Sequence, residues 1–569
     1  MSRPERVGRL CFAAWMAAST IGIQAAQAAH LGLKASPPLG WSSWSSFEAS
    51  VNETTVHAVA QSLVSTLKPA GYVYVNIDAG WYQNPDTAVD AYGRWIADPS
   101  KFPSGMAALG SYLHSLGLKF GIYVSPGIPM LAVTQNTPVQ GTPYHAADIA
   151  IPGKLEVTYT VPSIGLYGGT MYYIDYTKPG AQAFINSWAN LFASWGVDYI
   201  KLDGVGDADI PDVEAWSKAL LLTGRPIYLG LANHLDPANA PIWSAFSDGW
   251  RISPDIESYN GSTLTTWNLV EERFTAEPYW LAAAPYGGWN DLDSLDAGSP
   301  EDGLSSDERQ TMVTFWALAA SPLIVGDDPR NLDSAGFQLL TNPEAIAVDQ
   351  QGIVAAPINN GSAQQVWTAL EPDGTYAVGL FNLSDSPATV TVPWSGLGFT
   401  GLAAVRDHWR RAGLGWFSQS FSASLNPHAS MLLGVQPLAP VRYFPASGAT
   451  LSGGAALVSS TVSPGGLRVH LPAAGATATF SPIEMLAAGN YNLTINYING
   501  DPTPRSATLI VNGNPVPLNF PGAGDWAANL TNQGLSTAIS LNAGANSIGL
   551  AAAAGPAPDF IGITLQPRW

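Results

Sequence analysis

The sequence is short of cysteine, of charge and of long apolar runs. Its single cysteine, Cys11, lies near the N-terminus, which leaves the rest of the chain without a disulfide or a thiol nucleophile. Charged residues make up only 12% of the 569, and acids outnumber Lys plus Arg by 43 to 24, a net charge of -19. Phosphate backbones are bound by basic patches, so this balance excludes nucleic acid as a partner. The eight His show no His-Glu-x-x-His or other ligand spacing, so no catalytic metal is expected. No stretch of about 18 apolar residues follows the N-terminal segment, so no membrane span is expected.

What the chain does hold is glycine, proline and tryptophan, at 57, 44 and 20 residues, a mixture that points to many loops and aromatic platforms rather than charged helices. At the N-terminus Arg3, Arg6 and Arg9 precede an apolar run from Leu10 to Ile23 and a small-x-small site at Ala26-Gln27-Ala28. That is the pattern of a signal peptide over residues 1–28, with the mature protein secreted or periplasmic.

The stretch that organises the chain is Tyr199-Ile200-Lys201-Leu202-Asp203-Gly204. Side chains alternate along a strand, so Lys201 and Asp203 share a face at the end of an apolar run. Before it, Phe184, Trp188, Leu191, Phe192 and Trp195 recur at helical spacing, and Gly196 turns helix into strand. Helix, tight turn, strand and polar tip form the unit of a (β/α)8 barrel, whose chemistry sits at the carboxyl ends of its strands. Further strands are predicted at Tyr72 to Asp78, Leu118 to Val124, Ile227 to Ala232, Trp250 to Ser253, Trp280 to Ala284 and Leu323 to Val325, with Trp41 to Trp44 ending a first one. Residues 29–346 are therefore expected to form an α/β barrel, with the Gly, Pro and Thr-rich stretch from Pro126 to Thr170 over its mouth. Short strands between Asp-Gly and Ser-Asp turns predict an antiparallel β domain over 347–438. Regular turn signals predict a C-terminal β-sandwich over 442–569.

Polar and aromatic residues follow nearly every barrel strand: Trp44, Asp78, Tyr123, Lys201 with Asp203, Asn233 with His234, Arg251 with Asp255, and Asp291 with Asp293. A lone strand-end aspartate is as often structural as functional. A ring of them suits an uncharged polyhydroxy ligand, because aromatic faces stack on sugar rings and charged groups bind hydroxyls in pairs. Two carboxylates across such a mouth can cleave a glycosidic bond, one attacking the anomeric carbon and the other protonating the leaving oxygen.

These residues resemble glycoside hydrolase family 27, the α-galactosidase family. The likeness rests on Pro38-Leu39-Gly40-Trp41-Ser42-Ser43-Trp44, Asn76-Ile77-Asp78, Phe102-Pro103-Ser104-Gly105, the Lys201-x-Asp203-Gly204 segment, Arg251 with Asp255, and Gly288-Trp289-Asn290-Asp291. The resemblance implies a retaining glycosidase with Asp203 as nucleophile and Asp255 as acid/base, whose carboxyls should lie about 5 to 5.5 Å apart. It also implies that Trp44, Asp78, Tyr123, Lys201, Arg251, Asn233 and Asp293 bind substrate, and that no cofactor is needed. Two departures bear on the sugar. Asp78-Ala79 stands where the family has paired aspartates, and Ala232-Asn233-His234 where it has Cys-Glu-Trp. A β-L-arabinopyranosidase or an isomaltodextranase of the same family, or a barrel that binds glycans without cutting them, are therefore alternatives. The C-terminal unit resembles carbohydrate-binding module family 35, yet its opening Arg442-Tyr443-Phe444-Pro445 lacks the acidic residue that helps such modules hold structural calcium. Trp526 is read there as a sugar platform or a core residue. The expected partner is an oligo- or polysaccharide; oligomeric state is not legible.

Overall fold

The computed structural model describes residues 36–156, 160–161, 166–233, 235–259, 261–281, 283, 288–399, 401–438, 442–460, 467–485, 488–524, 526 and 533–567. The signal-peptide segment and His234 lie outside them. Eight parallel strands form the first domain: β1 Leu39–Ser42, β2 Tyr74–Ile77, β3 Lys119–Val124, β4 Val197–Leu202, β5 Tyr228–Leu231, β6 Gly249–Arg251, β7 Trp289–Asp291 and β8 Leu323–Val325. Each pairs with its sequence neighbour from β1 to β7, and β8 pairs with β1. Beyond the end of β7, a bridge between Leu295 and Val325 closes the cylinder.

Helices wrap the outside. α1 (Glu53–Ser65) begins where the Asn52 side chain accepts the Thr55 N–H, and it buries Val56, Val59, Ala60 and Leu63. α2 is Met106–Ser115, α3 Ala181–Ser194, α4 Ile210–Leu222, α5 Ala240–Phe246, α6 Trp267–Trp280, α7 Ser306–Leu318, α8 Ser334–Leu340 and α9 Pro343–Gln350. Inside the cylinder, Tyr74, Tyr199, Tyr228 and Trp289 form one packed layer. They fit because glycines face them: a Cβ on Gly230 would lie 2.5 Å from the Tyr199 hydroxyl. Side chains thus fill the barrel, and its chemistry is left to the rim.

Two expectations need correction. The seventh strand is Trp289–Asp291, and Trp280, read as the start of that strand, instead ends α6. The stretch from Pro126 is not a plain loop. Ile128–Pro129, Ala150–Leu155 and Met171–Ile174 form a small antiparallel sheet, with short helices at Met130–Gln135 and Ala146–Ile149. This insertion is fastened to the barrel. The Gly127 N–H donates to Asp212 of α4, and the Thr170 N–H to Asp86 after β2.

The second domain is antiparallel, with strands β9 Ala356–Asn359, β10 Gln364–Leu370, β11 Tyr376–Asn382, β12 Ala388–Pro393, β13 Leu402–Asp407, β14 Ala412–Ser418, β15 Ser420–Leu425 and β16 Ser430–Pro437. A six-stranded sheet faces the β12–β15 pair across Val378, Leu380, Val390, Val392 and Trp394. Its other face continues the barrel core: Phe274 of α6 and Phe315 of α7 stack at 3.8 Å, and Trp367 and Phe381 pack edge-on to them. Residues 442–567 add a two-sheet sandwich with a separate core built on Leu493, Ile495, Leu550, Phe560 and Ile563.

Candidate active site

The β4 end carries the sequence pair first. Lys201 lies within β4 and Asp203 just past it, and period-two alternation turns both into the mouth. The Lys201 ammonium donates to Asp78 Oδ2 at 2.9 Å, stands 3.8 Å from Asp203 Oδ2, and lies 5.9 Å from the centre of the Tyr123 ring. Burial opposes its charge, but Asp78 and then Asp203 more than restore it and drive its pKa upward, so Lys201 stays cationic. Asp78, which follows β2, also accepts from Ser42 Oγ, and its backbone N–H donates to Ser43 Oγ. Tyr123 is buried, its hydroxyl within 3.0 Å of Ser125 Oγ.

The opposite wall comes from β6 and β7. Arg251 Nη1 donates to Asp255 Oδ1 at 3.1 Å and to Asp293 Oδ2 at 2.5 Å. Asp293 also accepts the Ile256 N–H, so it anchors both the guanidinium and the loop that carries Asp255. Its own backbone sits at φ +79, a strained value for an aspartate that such an anchor justifies. The Asp255 side chain is 48% exposed, open to whatever enters.

The two acids sit in different fields. Burial pushes the Asp203 carboxyl up, Lys201 pulls it down, and the charges of Asp255 and Asp78 push it further up, for a net rise. For Asp255, burial is outweighed by Arg251, by Lys201 and by a hydrogen bond from the Tyr259 hydroxyl at 2.9 Å, so its carboxyl is held low.

The mouth therefore gathers Asp78, Tyr123, Lys201, Asp203, Arg251, Asp255 and Asp293. Trp44 stands at its edge, donating its indole N–H to the Tyr259 hydroxyl at 2.9 Å. Asn233 follows β5 at φ +101, and among the described residues no hydrogen bond ties its side chain to this cluster. Two residues escaped sequence reasoning. Tyr259 sits four residues past Asp255, and Glu257 is half-buried between Ser45, whose hydroxyl donates at 2.9 Å, and the Asp255 and Asp293 carboxylates, the three carboxyls lying within 4.8 Å of one another. The alternation Asp255-x-Glu257-x-Tyr259 was the signal available for both. Burial first, then the charges of Asp293 and Asp255, push the Glu257 carboxyl up to about 8. A cavity of about 30 Å³ beneath the mouth is lined by Lys201, Arg251, Asp291 and Asp293.

Known proteins carry the same plan. Residues 36–137 and 162–351 match the model described as alpha galactosidase A, and 361–435 match the alpha galactosidase C-terminal beta sandwich domain. Residues 138–161, within the insertion, fall outside that match. Alpha-galactosidase 2 of Arabidopsis thaliana is 32% identical over 419 residues, covering 72% of this chain and 91% of its own. The solved β-L-arabinopyranosidase of Geobacillus stearothermophilus, itself of glycoside hydrolase family 27, is 31% identical with a TM-score of 0.65 over 72% of this chain and 98% of that one. The isomalto-dextranase of Arthrobacter globiformis T6 is 23% identical and shares the fold over 93% of this chain and 96% of its own, at a TM-score of 0.59. With its catalytic barrel, its adjoining β domain and these relatives in agreement, the chain belongs to the α-galactosidase family, glycoside hydrolase family 27, and is a glycosidase.

Proposed function

We propose that the protein is an exported retaining α-galactosidase that removes terminal α-D-galactosyl residues, with Asp203 as nucleophile and Asp255 as acid/base. The observation that carries this reading is the pairing of the two acids across one mouth, Asp203 beside Lys201 and Asp255 beside Arg251. Asp203 attacks the anomeric carbon as its bond to the leaving oxygen breaks, and Asp255 gives that oxygen its proton. In the second step Asp255 takes a proton from water, which attacks the same carbon and frees Asp203. Arg251, Lys201 and the Tyr259 hydroxyl favour ionised Asp255. A sugar that enters between Tyr259 and Asp255 removes this hydrogen bond and excludes water, which raises Asp255 toward a protonated form whose O–H the glycosidic oxygen accepts. Asp78 and Lys201 grip ring hydroxyls, Tyr123, Trp44 and Asn233 border the ring, and Asp293 keeps Arg251 in place. All of this is carboxylate chemistry, with no cofactor in it.

Asp203→Asn tests the assignment: turnover of 4-nitrophenyl α-D-galactoside should vanish while circular dichroism is unchanged, and surviving turnover would remove Asp203 from the reaction. A second reading, β-L-arabinopyranosidase, is favoured by Ala79, a buried alanine beside Asp78, and by the Geobacillus relative. A pyranose without a sixth carbon needs no polar partner there. Comparing kcat/KM on aryl α-galactoside and aryl β-L-arabinopyranoside decides between the two sugars. We assign residues 1–28 to export, 29–346 to the catalytic barrel, 347–438 to its supporting β domain and 442–569 to glycan retention. In the last unit Trp526 donates its indole N–H to Asp501, and Arg505 covers its ring at 4.9 Å, which favours a packing role over a sugar platform.

A further inference from the structure

The bridge from Leu295 to Val325 that closes the barrel has a buried carboxyl beside it. Asp296 follows Leu295, and Gly326-Asp327 follow Val325. Asp296 is fully buried, and among the described residues no donor reaches either of its carboxyl oxygens. A buried carboxylate is strongly unfavourable unless something pairs with it. Burial opposes the charge of Asp296, and so do Asp327, Glu257, Asp293 and Asp302 in that order. The neighbouring cations are already taken: Arg309 pairs with Asp302 at 2.7 Å and with Asp333 at 2.8 Å, and Arg251 pairs with Asp255 and Asp293.

Oxygens from three loops meet at this point. A Cβ built on Gly326 would collide with both Asp296 Oδ1 and Ser45 Oγ, so only a glycine lets these two atoms close on the same spot. The Ser45 hydroxyl gives its hydrogen to Glu257 Oε1 at 2.9 Å, which leaves the lone pairs of Ser45 Oγ for a cation. One residue past Gly326, Asp327 is buried and anchored, its Oδ2 accepting the Gly298 N–H at 2.7 Å. Two carboxylates and a hydroxyl are hard oxygen ligands. They suit Ca²⁺, which gathers about six to eight oxygens in irregular arrangements, better than a transition metal.

We propose that Asp296, Asp327 and Ser45 hold a structural calcium ion that clasps the loops after β1, β7 and β8 and reinforces the bridge that closes the barrel. The ion takes no part in bond cleavage. It steadies the loop that carries Asp293, and through Asp293 the Arg251 guanidinium and the Ile256 N–H.

The experiment takes the full chain, strips it of metal with EDTA and adds CaCl2 or MgCl2. With calcium at about 100 times its Kd, Tm should rise by roughly 5 °C. The amides of Leu295 and Gly326 should then exchange about tenfold more slowly, while those of Ile200 and Leu202 change little. Magnesium, which sheds its water reluctantly, should do less. Asp296→Asn keeps the shape without the charge, so it should match or exceed the EDTA-treated parent in Tm and lose both calcium responses. Ser45→Ala should keep them at a higher calcium midpoint. A parent with the same Tm and exchange in EDTA and in calcium overturns the site and leaves Asp296 neutralised by a proton or by water. A response that persists in Asp296→Asn also overturns it, placing the ion elsewhere, as on the Asp255, Glu257 and Asp293 carboxyls. Should Asp296→Asn fail to fold, exchange at Leu295 and Gly326 in the parent decides alone.

Discussion

A proton donor is worth most when the departing group is poor. On that ground Asp255→Asn should lower kcat/KM, which reports the departure step alone, by about 10²–10⁴ for an oligosaccharide and far less for an aryl glycoside whose phenolate leaves unaided. Steady-state kinetics on the two substrates would show it, and equal losses would place Asp255 outside proton transfer. Asp293 works differently, since its carboxylate accepts from Arg251 and from the Ile256 N–H. Asp293→Asn keeps an acceptor for both donors but removes the charge that Arg251 pairs with. We expect KM to rise severalfold with less change in kcat, measured by the same assay.

At the scale of elements, the insertion is tied to α4 through one buried carboxyl. Asp212 accepts from the Tyr176 hydroxyl at 2.8 Å and from the Gly127 N–H at 3.1 Å. Burial nevertheless pushes it up to about 7 from its ordinary 3.8. The folded chain thus binds this proton more tightly than the unfolded chain, and its stabilising effect is lost as pH rises from about 4 through 7. Asp212→Asn keeps the acceptor without the titration. Its Tm at pH 8 should exceed the parent's by about 1–3 °C and match it near pH 4, as thermal scans at the two values would show. The same scale shows what was legible in the sequence. Lys201 and Asp203 could be found because a period of two forces both to one side of a strand that apolar neighbours make obvious. The end of α6 could not, because Arg273 and Glu277 are buried inside it and Pro278 interrupts its last turn, so the helical stripe is broken just before the aromatic Tyr279-Trp280. The insertion hid its sheet for another reason: Ile128–Pro129 is only two residues long, too short for any period, and Pro152 and Gly153 interrupt Ala150–Leu155. Tyr259 was missed because its place beside Asp255 depends on how the loop after β6 folds back.

For the whole molecule, the cores divide unequally. The barrel and second domain share Phe274, Phe315, Trp367 and Phe381, whereas 442–567 has its own core and meets Asp373 of the second domain through Arg442. Removing residues 439–569 should leave hydrolysis of aryl glycosides within about twofold and reduce retention on insoluble galactan or galactomannan, read by a pull-down assay. Removing residues from 347 onward should leave an insoluble barrel, since those four rings would lose half of their packing.

The closure of the barrel carries one more consequence. Around Asp203, β4 shares five paired positions with β3 and four with β5, while the wall that bears Arg251 and Asp293 ends at a seam held by a single rung, Leu295 to Val325. On the proposed roles, we expect the attacking side to be the stiffer and the donating side the more yielding. Amides of Ile200 and Leu202 should outlast those of Leu295 and Gly326 in deuterium exchange, and spent sugar should depart through the side that yields.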